Sequence, residues 1–274
     1  MELVRPDSVA GAVAALGNGS VALAGGTELI PLLRERLIAA DTLVELRRVV
    51  PKGIEGTTIG AGTTLGELEV DPEIPSVLRE ACRLSASPQL RAMGTIGGNL
   101  LQETRCWYWR LKFPCRLHGG DKCHVQEGQQ REHAIFANDF CASAHPSDPA
   151  AALLALGATV RTDRRELPIG DLYRLPTEND RSTTTLAPGE LILELDVPRP
   201  DASTYLKAMD RQRWSFALVG VAAARFGGDT RFGFAGVAPI PWADAENPTP
   251  LPGTAYKVQI LDALVKRARQ AVAA

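Results

Sequence analysis

Met93-Gly94-Thr95-Ile96-Gly97-Gly98-Asn99 and, further along, His145-Pro146-Ser147-Asp148 frame the stretch on which the reading of this chain turns. In the first segment, glycines leave backbone N–H groups free to approach a phosphate, because no Cβ stands in the way. The stretch also holds Cys106, Cys115, Cys123 and Cys141, leaving only Cys82 elsewhere, and all four histidines, His118, His124, His133 and His145. A cysteine cluster beside a glycine turn points to a metal centre next to a bound cofactor.

Two similar turns precede it. In Val21-Ala22-Leu23-Ala24-Gly25-Gly26-Thr27-Glu28-Leu29, a short β-type run meets a Gly-Gly turn, with Thr27 where a helix N-cap belongs. Leu29, Leu32, Leu33 and Leu37 then mark one helix face. Strand, glycine turn and helix start together present free N–H groups and a positive dipole end to a phosphate. Thr57-Thr58-Ile59-Gly60-Ala61-Gly62-Thr63-Thr64-Leu65 repeats the arrangement. Helices are also expected over residues 8–17 and 76–86, the latter burying Cys82 as a small apolar side chain.

Residues 100–145 keep neither a helix nor a strand period. A long irregular loop in a compact domain is usually functional. Regular structure resumes with a helix over Ala150–Leu156, stopped by Gly157. After a polar loop at 177–185 come four strand-like runs, 190–197, 204–209, 218–226 and 231–237, and a helix carrying Leu261, Leu264, Val265, Ala268 and Val272. An antiparallel sheet backed by a helix is the natural reading of this part. The expected organisation is α+β, with residues 1–175 divided near 55/56 and carrying an insertion at 101–145, followed by residues 176–274.

A net charge of −2 and scattered basic residues give no footing for nucleic acid or an anionic membrane. The N-terminus carries no basic-then-apolar signal pattern, and no run reaches the length of a membrane span. Bunched cysteines argue for a reduced metal site in the cytoplasm rather than a disulfide framework.

Taken together, Leu23–Leu29, Gly60–Leu65, Gly94–Leu100, Ser147-Asp148 and the runs Glu190–Leu193 and Tyr205–Ala208 resemble the FAD-binding subunit of the molybdenum hydroxylases, the xanthine dehydrogenase group. The resemblance implies a vanillyl-alcohol-oxidase-type (PCMH-type) FAD-binding fold: two α/β subdomains around the flavin plus a C-terminal antiparallel sheet-and-helix domain. It implies cofactor contacts from Leu23, Ala24, Gly25, Gly26, Thr27, Glu28, Leu29, Gly62, Thr63, Thr95, Ile96, Gly98, Asn99, Ser147 and Asp148, with Ile192 and Lys207 near the flavin ring. His145 is placed near the cofactor by its position before Pro146-Ser147-Asp148. The implied partners are a molybdenum-cofactor large subunit and a [2Fe-2S] small subunit in a heterotrimer, alone or paired, and an external carrier such as NAD, a quinone or ferredoxin. Electrons would pass through FAD with no residue here acting as proton-transferring catalyst. Export to the periplasm would require a signal-bearing partner.

The spacing Cys106-x8-Cys115-x7-Cys123-x17-Cys141 matches neither a tight ferredoxin run nor zinc-ribbon pairs, and by itself marks a metal site of open identity. Where ordinary members of the resembled family run almost directly from Asn-Leu to the Asp, this chain has residues 101–145, similar to a subgroup whose insertion binds a [4Fe-4S] cluster. Trp107, Tyr108 and Trp109 are expected to pack over the cluster, and His118, His124 and His133 to make hydrogen bonds. Two competing readings are a stand-alone FAD oxidoreductase and a zinc-stapled binding module in which the glycine turns are only turns.

Overall fold

Short strands and side-chain-capped helices alternate along the computed structural model, which describes residues 1–273. The first body contains β1 (Glu2–Val4), α1 (Val9–Ala15), β2 (Ser20–Leu23), α2 (Leu29–Arg34) and β3 (Thr42–Glu45). Its sheet is parallel in the order β1-β3-β2. Ser8 starts α1 by accepting from the Gly11 N–H.

Next come β4 (Ile54–Glu55), β5 (Thr58–Gly60), α3 (Leu65–Val70), α4 (Ser76–Leu84), α5 (Pro88–Arg91) and α6 (Ile96–Leu100). Thr64 and Glu67 form a reciprocal capping box on α3, and Thr95 caps α6 by accepting from the Gly98 N–H. Between α6 and α8 (Asp148–Leu156) the chain has only α7 (Trp107–Arg110) and one 3₁₀ turn, as the missing period suggested. Ser147 caps α8 and Gly157, at φ 67°, ends it. There follow β6 (Thr159–Thr162), β7 (Glu166–Pro168) and β8 (Ile192–Asp196).

The C-terminal part holds β9 (Ala202–Ala208), β10 (Val219–Phe226), β11 (Asp229–Ala235) and α9 (Tyr256–Ala273). The sheet β11-β10-β9 is antiparallel, with α9 packed on one face, as expected. One expected member is missing from it. The 190–197 run forms β8, which pairs with β5 and β6 inside the five-stranded sheet β4-β5-β8-β6-β7. A division of the chain at 175/176 would cut that strand from its neighbours.

Two further expectations are corrected locally. Helix α2 is capped at Glu28 rather than Thr27, with no side-chain hydrogen bond. It also stops at Arg34, because Arg36 takes a left-handed φ of 56°; Leu37 lies beyond it and packs near Trp109 instead.

Helix α8 is buried almost all round and lies between α4 and the C-terminal sheet. It can do so because β11 offers Gly233 at the contact, where a Cβ would overlap the Ala151 carbonyl oxygen. Lys257 on α9 is fully buried without a salt bridge; its Nζ donates to the carbonyls of His133 (2.8 Å) and Gly236 (2.9 Å), and burial lowers its pKa to about 7 against the opposing pull of the Glu132 charge. Among the described residues no helix is long and apolar enough to cross a membrane. Gly233→Ala should destabilise the fold by roughly 1–3 kcal/mol or more through overpacking against a helix backbone. A urea unfolding curve indistinguishable from that of the parent chain would contradict this packing.

Candidate functional site

The three glycine turns meet. Ile96 N–H donates to the Thr63 carbonyl (2.8 Å), Gly97 N–H to that of Ala61 (3.0 Å) and Leu65 N–H to that of Gly94 (2.9 Å), stitching the second turn to the third. The first turn lies against the third so closely that a Cβ on Gly25 would overlap the Met93 carbonyl oxygen. Together they wall a cavity of about 710 Å³, within the range of small-molecule and cofactor sites.

Ala24, Gly25, Gly26, Thr27, Glu28, Leu29, Gly62, Thr95, Gly98, Asn99, Asp148, Ile192 and Lys207 all line that cavity. Leu23, Thr63, Ile96, His145 and Ser147 do not. Thr63 is buried and its hydroxyl is engaged with the backbone of Gly53. Ile96 belongs to the main hydrophobic core. Ser147 caps α8 and donates to Asn99 Oδ1. Leu23 ends β2, and its side chain lies beside Gly26. His145 faces a separate cavity.

The wall also includes residues outside the sequence reading. Arg47 and Lys52 supply cations, and Trp214-Ser215-Phe216 stand on another side. The position of Arg47 just past β3, at the carboxyl edge of a parallel sheet, was the available signal. Nothing in its local sequence marked Trp214, which is 58% exposed.

At the cavity wall lies a buried ion pair. Lys207 Nζ is 2.7 Å from Asp148 Oδ2, with both side chains almost fully buried. Tyr205 Oη donates to Asp148 Oδ1, Ser85 Oγ donates to Oδ2 (3.2 Å), and Lys207 Nζ also donates to the Leu84 carbonyl (2.9 Å). Burial, followed by the Asp148 charge and its hydrogen bond, pushes the Tyr205 phenol well above its ordinary range. Asp148 thus borders the cavity while its carboxylate is already fully engaged by protein donors.

Residues of the insertion reach the first turn. Glu28 is bridged by Arg105 and by Arg110, the latter at 2.6 Å. Burial raises the pKa of the neighbouring Glu103 carboxyl, and the Glu28 charge adds to the shift.

Further out, Cys106, Cys115, Cys123 and Cys141 surround one small cavity, with Tyr108 and Trp109 also on its wall. Trp107 does not share it; its ring packs edge-on against His133. None of the four cysteines is in a disulfide. The neighbouring Cys141 thiol holds the Cys123 thiol below its usual range, while burial pushes Cys106 up to about 11. Cys82 lies elsewhere, in the core, with its thiol raised by burial. His118 bonds the Trp109 carbonyl (2.8 Å) and His133 lies 3.3 Å from Cys106 Sγ. His124 Nε2 has no partner among the described residues. No three His, Cys, Asp or Glu side chains among the described residues converge to hold a single metal ion.

Lys207→Met would leave the Asp148 charge buried with only hydroxyl and N-terminal helix support. Unfolding free energy should fall by about 3–5 kcal/mol. A loss under about 1 kcal/mol in denaturant titration would mean the pair is not a buried ion pair in solution.

Comparison with known proteins gives this geometry a family. Residues 1–200 match the model of the FAD binding domain in molybdopterin dehydrogenase. The aldehyde oxidoreductase FAD-binding subunit PaoB of Escherichia coli (strain K12) is 34% identical over 252 residues, covering 83% of this chain and 79% of that protein. The carbon monoxide dehydrogenase medium chain of Afipia carboxidovorans is 44% identical over 107 residues, covering 35% of this chain and 37% of the other. In fold, the chain is similar to a chain of the reconstituted CO dehydrogenase from Oligotropha carboxidovorans, with TM-score 0.71, 24% identity, and coverage of 99% and 96%. The chain belongs to the family of FAD-binding subunits of molybdopterin-dependent dehydrogenases and is an oxidoreductase component.

Proposed function

We propose that this chain is an electron-transfer subunit that passes electrons between molybdenum and [2Fe-2S] partner subunits and an external carrier. The observation that carries it is the meeting of three glycine turns around a cavity of about 710 Å³ in a chain of this family. The turns at Gly25–Thr27 and Gly94–Asn99 offer backbone N–H groups to the pyrophosphate and ribityl parts of FAD. Ile192, and Lys207 held by Asp148, stand beside the flavin ring. Bound FAD supplies exchange in steps of one or two electrons. The protein residues hold it, exclude water and fix the charges around it. The relatives' names as a FAD-binding subunit and a medium chain support assembly with further subunits.

We also assign to Cys106, Cys115, Cys123 and Cys141 a [4Fe-4S] cluster. Four free thiols around one cavity are the usual ligand set for such a cluster. Among the described residues no three such side chains converge to hold a metal ion, so the assignment rests on the four thiols sharing one cavity. The cavity is small as the chain stands, so loading requires the surrounding loop to open. The cluster would extend the electron path beyond the flavin.

Anaerobic purification with a visible spectrum and iron, sulfide and flavin assays should find one FAD with about four irons and four sulfides. Well-folded protein with flavin and no iron would remove the cluster and keep the flavin reading; stoichiometric zinc without flavin would establish the binding module instead. Cys115→Ser should abolish the cluster absorbance and spare most of the flavin spectrum.

A further inference from the structure

Next to the glycine-lined cavity lies a second one of about 390 Å³. Arg105, Pro146, Trp214, Ser215 and Phe216 line both, so the two adjoin. On another side Cys106 lines the second cavity and also the cavity between the thiols. The second cavity therefore lies between the two candidate redox sites, and neither of them uses it.

Its walls combine flat rings with one buried polar group. Trp107, Trp214 and Phe216 supply the rings. His145 is 5% exposed and lines this cavity but not the glycine-lined one. Its Nδ1 accepts from the Ser147 N–H (3.4 Å), the one hydrogen bond its ring makes among the described residues. Burial lowers the pKa of the ring to about 3, so it is neutral. A neutral imidazole carries a single N–H, and with Nδ1 accepting, that hydrogen is on Nε2. The pocket thus presents one unpaired donor between aromatic faces.

That combination suits a planar ring bearing a carbonyl oxygen: the faces stack, and the carbonyl takes the donor. The volume is near the lower end for ligand sites, which suits one or two fused rings. The charged groups on its wall are of both signs, Arg105 and Arg211 beside Glu132 and Asp210, with Asp210 paired to Arg131 at 2.7 Å. We propose that this pocket binds a quinone, with a carbonyl oxygen on His145 Nε2 and its ring against Trp107 and Trp214. Resting on the flavin reading above, the quinone takes up two electrons and two protons to become the hydroquinone, and the reduced flavin that supplies them returns to its oxidised form.

The FAD-loaded chain is titrated with 1,4-naphthoquinone while the tryptophan fluorescence is followed. In a second measurement the dithionite-reduced protein is mixed anaerobically with naphthoquinone or with ferricyanide, which takes electrons without needing a pocket. Saturable quenching and a saturable rate of flavin reoxidation are expected with naphthoquinone. His145→Phe should raise half-saturation about three- to tenfold and lower the naphthoquinone rate relative to the ferricyanide rate. His145→Gln, which restores an N–H, should recover most of both. Trp214→Ala changes an exposed residue and tests the same wall without burdening the core; it should reduce the quenching amplitude. A naphthoquinone rate linear in concentration, no response to either His145 variant, or saturable quenching by NADH in place of naphthoquinone would overturn the proposal. Protein that purifies without flavin absorbance defeats the flavin reading instead, whereas the quenching titration still reports on the pocket.

Discussion

An ammonium and a carboxylate with almost no water around them hold the centre of this molecule together. Asp148 opens α8 and Lys207 lies within β9, so their contact joins the glycine-turn region to the C-terminal sheet. Each charge is costly in the interior alone, because desolvation of a single ion is large and must be offset by close partners. The cost is met by a full set of partners: Tyr205, Ser85 and the Leu84 carbonyl draw the end of α4 to the same point. Three elements distant in sequence are thereby fixed at one wall of the glycine-lined cavity, whose shape follows from their meeting.

The insertion is held by a different kind of bonding. With only a single helical turn and a 3₁₀ turn of its own, it cannot satisfy its backbone by regular ladders. Side chains do the work instead: Arg116 donates to the carbonyls of Asp139 and Phe140, and Tyr108 accepts from the Gln129 N–H. Arg105 and Arg110 then carry the loop onto Glu28 of the first glycine turn. Arg105 thus belongs to the thiol-bearing loop and to the wall of the glycine-lined cavity at once.

The glycine turns were legible in the sequence because the demand they meet is local and chemical. Gly25 stands where a Cβ would overlap the Met93 carbonyl oxygen, and Gly97 packs tightly against Ala61. The helix over 150–156, its Gly157 stop and the cysteine set were legible for similar reasons. What stayed hidden depended on partners far along the chain. Thr27 looked like a cap, yet Glu28 occupies that position and spends its carboxylate on arginines 77 and 82 residues away. The alternation in 190–197 announced a strand but could not say which sheet would receive it. His145 was placed near the cofactor by its neighbour Asp148, and it lines another cavity, with Pro146 on the wall of both.

Lys257 gives the molecule a timetable. Its Nζ donates to the carbonyl of His133, 124 residues upstream, and to that of Gly236. Chains emerge from the ribosome N-terminus first, so the thiol loop exists long before the helix that clamps it. Until α9 arrives, the wall behind Cys106 lacks its clamp. Docking of that helix is thus a late step in ordering the loop, made after the rest of the chain is already present.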